Sequence, residues 1–159
     1  MKFKIIIFLI VIISTCIRIY NIEQKNLWFD EVYSWNISQG DIVQIVTETS
    51  GDIHPPFYYI LLKFWISCFS DSIFSMRMLS VLLGILSMYF VYKISKLFLK
   101  GNLQIFFVLM LYAFSPLNIY YSQEVRMLNL NLFLCLGSVY FFFRFLDTSR
   151  NRFALVYIS

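Results

Sequence analysis

Four stretches of this chain, at about residues 3–20, 73–92, 103–121 and 128–146, are apolar over nearly the length needed to cross a bilayer. A spanning helix takes roughly 20 mostly apolar residues. Only helices and closed barrels satisfy their own backbone groups in hydrocarbon. Runs of this kind predict an all-α polytopic membrane protein with about four spanning helices. A fifth run begins near Phe153 and is cut off at Ser159. Residues 1–159 are therefore expected to be the N-terminal portion of a single transmembrane domain. Composition agrees, with 60% of residues hydrophobic and only 14% charged, against about 45–50% and 25% in a soluble domain. One small core could not hide that excess.

The first twenty residues also have the outline of a signal peptide, with Lys2 and Lys4 ahead of an apolar run. No small-x-small cleavage site follows, so an uncleaved first spanning helix is expected. The net charge of +4 does not point to nucleic acid, because the basic residues are scattered between apolar blocks without a stripe or reading motif. Cys16, Cys68 and Cys135 are odd in number, widely spaced and set in apolar surroundings. They read as small buried hydrophobes, not as a disulfide or metal framework.

A shorter apolar run, residues 57–69, decides the topology. It is too short to span and carries Lys63 at its centre, where insertion into hydrocarbon costs about 2.5–3.5 kcal/mol. Pro55 and Pro56 before it suit a helix start. A helix lying in the interface is expected, with Lys63 snorkelling to the headgroups and Trp65, Tyr58 and Tyr59 as aromatic anchors. If this run does not cross, eight of the thirteen basic residues fall inside (Lys2, Lys4, Lys93, Lys96, Lys100, Arg144, Arg150, Arg152). If it crossed, Lys93, Lys96 and Lys100 would face outward against the positive-inside rule. The N-terminus is thus expected in the cytoplasm of a plasma-membrane protein, with the loop at about 21–72 outside. Two further amphipathic stretches, 30–39 and 41–49, make that loop a set of short interfacial helices.

Three polar constellations then fall at the same outer edge. They are Trp28-Phe29-Asp30-Glu31, Asp52-Ile53-His54-Pro55-Pro56, and the segment from Ser115-Pro116 to Glu124-Val125-Arg126. Each also has a plain structural reading. Asp30 and Glu31 can cap a helix, and His54 can be a turn residue. Glu124 and Arg126, two apart, do not share a helix face and can be ordinary interface charges.

In order, "WFDEVYS", "HPPFYYILLKFW", "SIFSMRMLSVLLGILSMYFVYKISKLF" and "SPLNIYYSQEVRM" resemble the N-terminal third of GT-C-type glycosyltransferases. Among these, the pattern is most similar to the group of protein O-mannosyltransferases and the lipid A aminoarabinose transferase. The resemblance implies a polyprenyl-phosphate-linked sugar donor, inversion at the anomeric carbon, and interfacial helices in the first outer loop. It implies that Asp30 is catalytic with Glu31 in support, that His54 stands near the donor phosphate, and that Glu124 and Arg126 help build the site. Relatives usually follow the arginine with one residue and then tyrosine, whereas Leu128 follows Met127 here.

The chemistry stands beside the resemblance. A donor confined to the membrane reacts at headgroup depth, where a carboxylate can orient or deprotonate an acceptor hydroxyl. The departing phosphate needs donors or positive charge, available from His54, Lys63, Arg126 or a bound cation. Asp30, Glu124 and His54 are the residues that suit a divalent cation, though nothing in the sequence requires one. The acceptor, whether protein, lipid or glycan, is not encoded in any motif. Two other readings share these features: a membrane transporter or scaffold, and an inactive remnant of the same family. Transporters place ionisable groups near the bilayer midplane, whereas these gather at one edge.

Overall fold

The computed structural model describes residues 2–51 and 54–148. The expected fifth span, Arg150, Arg152, Asp52 and Ile53 lie outside the described residues. Within them the chain is helical: α1 (Lys2–Ile19), α2 (Phe29–Gln39), α3 (Ile42–Ser50), α4 (Phe57–Cys68), α5 (Ile73–Phe98), α6 (Asn102–Ala113), α7 (Pro116–Ser122) and α8 (Leu128–Thr148). This is the all-α membrane fold that the apolar runs call for. Two helices, α5 and α8, are long and apolar enough to cross a bilayer, and three spans result if α6 and α7 count as one bent crossing. The first helix is apolar too, but its eighteen residues include Lys2, Lys4 and Arg18.

The third apolar run is not one continuous helix. It breaks at Phe114-Ser115, and α6 and α7 meet at 50°. Pro116 has no N–H and its ring crowds the carbonyl four residues back, which stops α6. Ser115 then caps α7 by accepting from the Asn118 N–H. The break orphans the carbonyl of Ala113, and Arg18 of α1 donates to it at 3.1 Å. Arg18 also bonds Ser122 Oγ at 3.2 Å and the Ser14 carbonyl at 3.1 Å. It is fully buried.

The long central helix α5 is the spine. It packs along α8, where Phe90 meets Phe133, Tyr140 and Phe141. Gly84 lets α5 approach α7 and α1 closely, since a Cβ there would come within 2.9 Å of Ser122 Oγ. Apolar side chains remain on the outside of this bundle, such as Phe8 at 64% and Leu111 at 75% exposure. On spanning helices lipid covers such surface. Cys16, Cys68 and Cys135 belong to the exterior as well. All three are free and exposed, so their apolar neighbourhoods mark outward faces and not a core.

The short helices sit where the sequence put them. Asp41 and Gln44 close a reciprocal cap on α3, at 2.8 and 2.9 Å. One face of α4, with Tyr58, Tyr59 and Leu62, is buried between α2 and α5, where Tyr59 meets Tyr33 of α2 edge to face and Trp65 Nε1 donates to the Ser75 carbonyl at 2.8 Å. Tyr58 and Tyr59 are thus core residues, not lipid anchors. A twelve-residue helix held on protein by one face has no need to span.

Candidate active site

The C-terminal ends of α1 and α7 and the N-terminal ends of α5 and α8 meet at one end of the bundle. Gln123 Nε2 donates to the carbonyls of Arg18 and Tyr20 at 3.0 and 2.9 Å, and Ser80 Oγ donates to the Glu124 carbonyl at 2.5 Å. Helices α2 to α4 cover the same end. Since α1 leaves and α5 re-enters there, the chain between them does not cross the bundle's length. Asp30, His54, Glu124 and Arg126 therefore share one neighbourhood.

Its anchor is a pair 46 residues apart in sequence. Arg77, in the second turn of α5, meets Glu31 through Nε to Oε1 at 2.9 Å and Nη2 to Oε2 at 2.7 Å. Its other donors take the carbonyls of Ile22, Lys25 and Asn26 at 2.5, 2.9 and 3.4 Å. Glu31 accepts in addition from the Val125 N–H at 2.8 Å and the Trp28 N–H at 3.3 Å. Both side chains are almost wholly buried. All five guanidinium donors and four carboxylate acceptor positions are in use. Glu31 consequently has no oxygen to offer a reactant. It ties residues 22–28 to residue 125 and so fixes the two walls of the site.

Asp30, one residue earlier, points elsewhere. Its Oδ2 lies 3.0 Å from Nη1 of Arg126, and both side chains are partly exposed. The Arg126 guanidinium also lies over the Trp28 ring, 5.6 Å from its centroid. Asp30 and Arg126 line a small cleft of about 40 Å³ together with His54, Tyr33, Ser34, Tyr59 and Met127. Three separate segments of chain thus deliver a carboxylate, an imidazole and a guanidinium to one opening.

Glu124 faces the other way, into a larger cavity of about 630 Å³ lined also by Tyr20, Lys25, Trp28 and Tyr120. It is 5% exposed, and its Oε2 has no hydrogen-bond partner. Burial pushes its carboxyl above the usual range and Glu31 adds to this, while the Tyr120 hydroxyl, Arg126 and Arg77 pull it back. Lys63, on the face of α4, lines neither opening. Among the described residues no three His, Cys, Asp or Glu side chains come together as a metal set. Asp30 and His54 share a cleft, but Glu124 does not join them, and Asp30 already has a cationic partner.

Sequence reasoning missed Arg77 and Trp28 as parts of the site. Arg77 carried a usable signal, an arginine inside the first two turns of an otherwise apolar helix, which needs a partner. Trp28 appeared in the motif without a role.

Residues 53–159 match a family model described as dolichyl-phosphate-mannose-protein mannosyltransferase. The matched region takes in His54, Glu124 and Arg126 and begins after Asp30 and Glu31. No curated protein and no solved structure matches the chain.

Proposed function

We propose that this chain, which belongs to the dolichyl-phosphate-mannose-protein mannosyltransferase family, forms the donor-side part of a glycosyltransferase site. The reaction moves a sugar from a polyprenyl-phosphate carrier to an acceptor hydroxyl, with inversion, at the extracytoplasmic face of the plasma membrane. One observation carries this reading: Asp30, His54 and Arg126, from three separate segments, open into one cleft at the end of an apolar bundle.

In this reading Asp30 orients the acceptor hydroxyl and takes its proton as the new glycosidic bond forms. The carrier phosphate leaves from the opposite face of the sugar, which an inverting displacement requires. Arg126 spends one N–H on Asp30, and a guanidinium has five donors. It can therefore hold the carboxylate and a phosphate oxygen together, and His54 supplies a second phosphate contact. Lys63, away from the cleft, serves to seat α4 at the headgroups. Glu31 acts through its bonds to Trp28 and Val125.

Membranes containing the protein, given labelled sugar on a polyprenyl phosphate or as a nucleotide sugar, test the donor class. Transfer from the lipid-linked form, with the anomeric configuration reversed in the product, is expected. Transfer from the nucleotide sugar alone, or a retained configuration, refutes the reading.

A further inference from the structure

Toward the end of the bundle opposite the cleft, a groove of about 260 Å³ runs between α1 and α5. Ile7 and Val11 of α1, Leu86, Tyr89 and Tyr92 of α5, and Leu109 of α6 line it. No charged side chain is among its walls, and hydrocarbon fits such a space. One turn of helix, 10–12 Å across, occupies roughly 400–600 Å³, so the groove takes a flexible chain and not a packed helix.

Both tyrosines carry a cation. Lys93 Nζ lies 5.3 Å from the centroid of the Tyr89 ring, and Lys96 Nζ lies 5.5 Å from that of Tyr92. Each lysine follows its tyrosine by about one turn, and helical side chains lean toward the N-terminus, which brings both ammonium groups back to the mouth of the groove. Lys4 precedes Ile7 by nearly a turn, on the same face of α1, and is exposed. These cations have no acid to answer them. The helices α1, α5 and α6 contain no Asp or Glu, and no described carboxylate pairs with any of the three lysines. Like charges on one helix face repel, so an anion among them relieves a cost as well as making contacts. An apolar groove topped by uncompensated positive charge is the complement of a lipid with a negative headgroup.

We propose that this groove holds an anionic phospholipid, with an acyl chain along Val11 and Leu86 and its phosphate among Lys4, Lys93 and Lys96. Tyr89 and Tyr92 stand where headgroup meets chain, the depth that tyrosine favours. This lipid is not the sugar carrier. From Arg77 to Lys93, α5 rises about 24 Å at 1.5 Å per residue, most of the roughly 30 Å of a bilayer's hydrocarbon core. Its phosphate therefore lies across the membrane from the cleft, and the assignment stands or falls apart from the transfer reading.

Native mass spectrometry of the detergent-solubilised protein, titrated with phosphatidylglycerol and with phosphatidylcholine, reads the site directly. One phosphatidylglycerol should bind at least about fivefold more tightly than phosphatidylcholine. Lys93→Gln and Lys96→Gln should each weaken it about fivefold, the worth of one basic residue at a lipid surface. Lys100→Gln should leave it unchanged, since Lys100 stands over neither tyrosine. Leu86→Trp fills the groove from a position that is 42% exposed, keeps every lysine, and should weaken binding at least as much as losing one of them. Equal binding of the two lipids, an equal loss in Lys100→Gln, or no loss in Leu86→Trp overturns the proposal. So does displacement of phosphatidylglycerol by farnesyl phosphate, which would make the groove a seat for the carrier.

Discussion

Removing Arg77 should cost this protein far more than its single charge suggests. Arg77→Met strips Glu31 of two charge-assisted bonds at 2.9 and 2.7 Å and leaves its carboxylate buried with two backbone donors. The carbonyls of Lys25 and Asn26 can turn to water, since both residues are exposed, but Ile22 is buried. Breaking a buried pair from one side costs about 3–5 kcal/mol, which at this chain length is roughly 6–20 °C in Tm. Glu31→Gln should cost less, about 1.5–3 kcal/mol, because the guanidinium keeps its three carbonyls. The double variant no longer buries a charge, so it should fall short of the sum by about 2 kcal/mol or more. Thermal unfolding in detergent micelles, followed by tryptophan fluorescence, measures all four proteins. A loss below about 1 kcal/mol for Arg77→Met, or additivity within about 0.5 kcal/mol, refutes the claim that this pair ties the site's walls together.

Three further outcomes follow from the same geometry. Gly84→Ala places a methyl 2.9 Å from Ser122 Oγ, where Arg18 and Asn129 also bond, and should lower stability by about 1–3 kcal/mol in the same assay. The Glu124 carboxyl has its folded pKa raised by burial, so its contribution to stability is fully present below the unfolded value and is lost as pH rises through the folded one. Glu124→Gln should therefore be no less stable than wild type at neutral pH and should show a weaker decline between mildly acidic and neutral solution, read from Tm against pH. Arg126→Gln should raise the donor KM by roughly tenfold to a hundredfold, the worth of a charge-assisted hydrogen bond, and an unchanged KM would remove Arg126 from the phosphate.

Much of this architecture is written in local pattern. The short helices of the first loop follow from caps and apolar spacing, and α2, α3 and α4 begin within a residue or so of where Asp30, Asp41 and Pro56 place them. The common sidedness of Asp30, His54 and Arg126 follows from the length of one run and the positions of three lysines. What stayed hidden depends on contacts between distant segments. Arg77 signals the need for a partner, but nothing near it in sequence says that the partner is Glu31, 46 residues away. Arg18 reads as an ordinary end-of-helix cation until the proline break in the third run frees a carbonyl for it. Tyr58 and Tyr59 look like interface anchors, but α4 turns that face toward α2 and α5. Glu124 and Arg126 point to different cavities, although the stretch between α7 and α8 that carries them is not helical.

The carboxylate of Asp30 is the group on which the proposed reaction turns. Initial rates of sugar transfer by Asp30→Asn, at matched amounts of membrane-inserted protein, measure its role without removing its shape. The loss of a positioned base should lower the rate by about a hundredfold or more. A rate within a few-fold of wild type would contradict the account.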